Sequence, residues 1–62
     1  MKSKRYQVET QNSRLATWIP AHHTDDLAVA KEHVAVIVKA RKVWAVRLVD
    51  QTAQHILIYQ RV

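Results

Sequence analysis

Sixty-two residues suffice for one small domain, which buries only about 60% of the surface its unfolded chain would expose. Cysteine is absent, so disulfides, thiol chemistry and cysteine-based zinc sites are excluded. Ten Lys and Arg against five Asp and Glu leave a net charge of +5, and an apolar share of 48% is globular rather than disordered composition.

Met1-Lys2-Ser3-Lys4-Arg5 is basic like the front of a secretion signal, but no apolar run follows it. Residues 1–4 therefore read as a basic N-terminal tail on a single domain spanning 1–62. The longest nearly apolar stretch, Val34 to Val38, is far below the roughly 20 residues of a spanning helix. The expected setting is cytoplasmic, with no membrane contact.

Glycine is missing and proline occurs once, at Pro20. Two-residue type I′ hairpins, which need Asn-Gly or Asp-Gly, are disfavoured, so hairpins should use longer loops with Asn or Asp in any left-handed position. Gln11–Arg14 and Asp50–Gln54 are the candidates.

Arg5 to Gln11 alternates, Tyr6, Val8 and Thr10 on one side and Arg5, Gln7, Glu9 and Gln11 on the other, which predicts a half-buried strand. Leu15 to Ile19 reads as a second strand stopped by Pro20, with Ala21-His22-His23 as a connector. Thr24 stands where an N-cap belongs, with Asp25 and Asp26 suiting the first helical turn. From Asp25 to about Arg41, Leu27, Ala30, Val34, Ile37 and Val38 fall on one helical stripe. Acids at the front and Lys39, Arg41 and Lys42 at the back have helix polarity. The β-branched run Val34–Lys39 would also suit a strand, which makes an all-β fold the alternative. Val43–Val49 and Ile56–Arg61 read as strands joined by the Asp50–Gln54 loop. The prediction is an α+β fold: a small antiparallel sheet of about four strands, β-β-α-β-β, with one helix packed on one face.

Chemistry is sparse. His22-His23-Thr24-Asp25-Asp26 offers imidazole and carboxylate groups, but adjacent histidines project apart and the aspartates suit a helix start, so no metal site is expected. Ser3 and Ser13 lie in a tail and a turn, with no nucleophile motif around them. No catalytic residue and no cofactor is expected, and the chain reads as a non-enzyme.

Binding is better served. If Val46, Leu48, Ile56 and Ile58 meet the helix, then Arg47, Tyr59 and Arg61 share the uncovered face, in reach of Trp18 or Trp44, with Arg5 adding charge. Arg and Tyr are enriched at binding hot spots and would equally suit phosphate contact and base stacking. On the helix, Val29, His33 and Val36 form a second patch for a partner or a homodimer.

From Thr24 onward, Thr24-Asp25-Asp26-Leu27 with Ala30, then Val46-Arg47-Leu48-Val49-Asp50-Gln51-Thr52-Ala53-Gln54, resembles a pattern in short phage and proteobacterial proteins of unknown function. It covers about half the chain, and Thr52-Ala53 stands where that pattern has Thr-Gly. In size and in building a binding face on a mini-domain, the chain is also similar to small phage inhibitors of host RNA polymerase and of CRISPR complexes. The resemblance implies an accessory protein of phage or mobile-element origin that binds stoichiometrically and blocks a host protein complex. Direct nucleic-acid binding through the uncovered face is the alternative.

Overall fold

The computed structural model describes residues 4–62, so most of the expected basic tail (residues 1–3) lies outside the described residues. Four strands, β1 (Tyr6–Gln11), β2 (Ile19–Thr24), β3 (Ala45–Asp50) and β4 (His55–Arg61), form one antiparallel sheet in the order β2-β1-β3-β4. The one helix among the described residues, α1 (Leu27–Ala40), lies between β2 and β3 in sequence and packs on one face. The architecture is the predicted α+β one, and 34–39 is helical, not a strand.

The apolar periods explain the packing. Period-two residues of the central strands, Val8, Val46 and Leu48, are fully buried and meet Ala30 and Val34 of α1. Leu27, Ile37 and Val38 complete the helical stripe as expected, joined by Tyr6 and Ile58 from the sheet and by Val62 just beyond β4. Burying a side chain such as Leu48 contributes about 1.5–3 kcal/mol, so three such residues dominate a core this small.

Several local expectations are corrected. The second strand is not Leu15–Ile19; Leu15 is 93% exposed in the connection, and β2 runs on through Pro20 to Thr24. Proline is tolerated there because β2 is an edge strand, where a missing N–H costs no ladder bond on the outer side. Val8 pairs with His22 and Glu9 with Pro20, leaving Ala21 between them as an irregularity. His22 and His23 are thus strand residues rather than a connector. The helix cap is Asp26, not Thr24: its carboxylate accepts from the Ala28 and Val29 amides, while the Thr24 hydroxyl accepts from the Asp26 amide. On β4, a register shift leaves Leu57 unpaired, so Ile56 faces Val49 on the side away from the helix, not beside Ile58.

The left-handed positions also differ from expectation. They fall to Arg41, which closes α1 at φ 53°, and to Gln54, which ends the β3–β4 turn at φ 57°. Asp50, the one Asn or Asp of the expected Asp50–Gln54 loop, instead accepts hydrogen bonds from the Thr52 and Ala53 amides and shapes the turn through its side chain.

Candidate functional site

The helix-free face of the sheet is built by the other half of the strand alternation. β1 contributes Gln7, Glu9 and Gln11; β3 contributes Ala45, Arg47 and Val49; β4 contributes Ile56, Tyr59 and Arg61, paired respectively with Val49, Arg47 and Ala45. The face is not bare. The connection between β1 and β2 is held down by Gln11, whose amide donates to the carbonyls of Arg14 and Ala16 at 3.2 and 2.8 Å. Gln11 and Ala45 are buried as a result.

A polar chain crosses the sheet. The Gln7 amide oxygen accepts from Gln51 Nε2 at 2.8 Å and lies 2.7 Å from His23 Nε2, which must therefore carry its proton and donate. The Gln7 amide nitrogen donates to Glu9, and Glu9 in turn accepts from Arg47 Nε. Both Arg47 and Glu9 side chains are largely buried, at 25% and 13% exposed. The Arg47 charge is therefore neutralised on the spot.

Aromatic rings finish the cluster. The Arg47 guanidinium lies over Trp18, 4.3 Å from its centroid, and Trp18 meets Tyr59 edge-to-face at 6.0 Å. Tyr59 is 54% exposed, with Ile56 at 56% and Leu57 at 45% along the same edge strand. The result is a neutral, aromatic and aliphatic surface about a fixed arginine.

The predicted site residues thus separate into three places. Trp18, Arg47 and Tyr59 come together on the sheet face. Arg61 and Trp44 meet at the end of the sheet, the guanidinium 4.1 Å from the indole centroid. Trp44 lies before β3 rather than within it. Arg5 is apart from both, at the opposite end, where it grips Asp50 through Nε and Nη2 at 3.0–3.2 Å. That pair raises the Arg5 pKa and holds the Asp50 carboxyl below its ordinary range, through the Arg5 hydrogen bonds first and the turn amides after.

Of the helix patch, Val36 is 61% exposed, whereas Val29 and His33 are half-buried. His33 stacks on His22 of β2 with centroids 3.6 Å apart, so it ties the helix to the edge strand. Desolvation pushes the His22 pKa down, and His33, His23 and Lys4 add to the effect.

Sequence reading missed Gln7, Glu9, Gln11 and His23. The alternation of Gln7, Glu9 and Gln11 on β1 is visible in the sequence, but the hydrogen-bonded chain His23–Gln7–Glu9–Arg47 depends on which strands flank β1. Among the described residues, no three His, Cys, Asp or Glu side chains converge to hold a metal ion, and no helix is long and apolar enough to cross a membrane. The chain matches no family model, no curated protein and no solved structure.

Proposed function

We propose that the protein is a small non-enzymatic protein-binding module that acts in the cytoplasm by occupying a surface of a larger complex, in keeping with the phage or mobile-element accessory role its sequence pattern implies. The observation that supports this reading is the cluster Trp18–Arg47–Tyr59 with its charge already balanced by Glu9. Tryptophan, tyrosine and arginine are the residues that dominate protein–protein affinity when held rigid at the centre of an interface. A neutralised guanidinium has little attraction left for phosphate, so the same face is poorly suited to nucleic acid.

Affinity capture with a tagged copy tests the reading. A defined host protein should be recovered at fixed stoichiometry, and nuclease treatment should not release it. Trp18→Ala with Tyr59→Ala should reduce recovery at least about tenfold, as loss of two hot-spot rings does, while far-ultraviolet circular dichroism stays native. Recovery of nucleic acid alone, or capture indifferent to both rings, overturns the proposal.

A further inference from the structure

The end of the sheet away from Arg5 gathers cations from every segment that reaches it. Gln11, Ala45 and Arg61 lie in register there, and α1 runs down to the same end before the chain turns into β3. Arg14 sits in the β1–β2 connection, Lys39 in the last turn of α1, Arg41 and Lys42 in the link to β3, and Arg61 at the close of β4. All five are exposed. The five acidic residues of the chain are elsewhere: Asp25, Asp26 and Asp50 at the other end, Glu32 on the helix and Glu9 locked to Arg47. The two ion pairs among the described residues, Arg5–Asp50 and Arg47–Glu9, use none of the five cations.

The two arginine–tryptophan stacks differ in one respect that decides their chemistry. Arg47 is held by Trp18 and neutralised by Glu9. Arg61 is held by Trp44 at 4.1 Å and, among the described residues, is in no ion pair, and an indole fixes a guanidinium in place without cancelling its charge. A positioned guanidinium outside any ion pair, among lysines and arginines that are likewise outside one, suits a series of phosphates.

We infer that this end is a binding site for the phosphate backbone of single-stranded nucleic acid, with Arg61, Arg41 and Lys42 as the principal contacts and the exposed Arg61 guanidinium, held over Trp44, as the surface on which an unpaired base stacks. A regular polyanion fits cations supplied by four separate segments better than a short acidic peptide does. An exposed base face is available to a guanidinium plane in a single strand and not inside a duplex. The site is distinct from the sheet-face cluster, so either proposal can fail alone.

Fluorescence anisotropy with a labelled oligothymidine of about 20 nucleotides tests it, that length exceeding the roughly 4–16 nucleotides that one small domain covers. Affinity should fall with salt at a log–log slope near −3.5, the value for about five phosphate contacts on a single strand. Arg41→Glu with Lys42→Glu should weaken binding at least about tenfold, and Lys42→Glu alone, in an exposed link, should weaken it measurably. Lys4→Glu with Lys31→Glu alters net charge equally but away from the site, and should change affinity less than about twofold. In a Trp18→Phe background, oligothymidine should quench the Trp44 emission. Equal loss in both double variants would reduce the effect to net charge and overturn the inference. Displacement by polyglutamate as readily as by unlabelled oligothymidine would assign the end to acidic peptides and overturn it too.

Discussion

At the scale of single residues, two titrating groups tie the stability of the fold to pH. His22, stacked on His33, has its pKa pushed below the ordinary 6.5 by desolvation, so the unfolded chain takes up a proton that the folded one resists. Its contribution is fully present above pH 6.5 and is lost as pH falls through the depressed value. Asp50 repeats the sign lower down: gripped by Arg5 and the turn amides, it titrates below the ordinary 3.8, so its support fades only under stronger acid. Urea midpoints measured from pH 8 to pH 3 should hold level at the top and then decline in two stages. His22→Gln should flatten the first stage and leave the second.

At the scale of elements, the neighbouring strands β1 and β3 are joined on one face by core burial and on the other by Glu9–Arg47. Glu9→Gln leaves a largely buried guanidinium against Trp18 with a neutral partner, and should cost about 1.5–3 kcal/mol, the range for hydrogen bonds to charged groups. Against a total of about 3–9 kcal/mol for a chain this size, that is a large share. Pairing Glu9→Gln with Arg47→Met should cost less than the two single changes summed, as chemical denaturation of all three variants would reveal.

The same elements show where a sequence is readable. α1 was legible because Leu27, Ala30, Val34, Ile37 and Val38 recur at helical spacing and charge is ordered along the segment. β1 and β3 were legible because their alternation is regular. β2 was not, because Pro20 is compatible with a strand only at an edge, and edge position belongs to the sheet order. Ile56 was misplaced for a related reason: the Leu57 irregularity reverses the alternation on one side of it, and nothing in Ile56-Leu57-Ile58 announces the shift. The trio Arg47, Tyr59 and Arg61 was assigned to the helix-free face, and all three lie on that side of the register. What the residues alone could not convey is that one arginine meets a carboxylate there and another does not.

For the molecule as a whole, the distribution of charge matters more than its sum. Acids collect where β1 begins and β3 ends, cations where β4 and α1 end, and a Cα radius of gyration of 11.0 Å keeps the two regions within a few Debye lengths. Arg41 stands in the cationic region, and it also occupies a backbone conformation in which a side chain is disfavoured by about 1 kcal/mol relative to glycine. Gln54 bears the same burden in the opposite region. Arg41→Gly and Gln54→Gly should both raise the melting temperature by several degrees, as calorimetry would register. Their effects should part on addition of oligothymidine, the first hardier protein binding more weakly and the second unchanged. A chain containing no glycine thus concedes thermal endurance at both bends, and at one of them the concession keeps a recognition group.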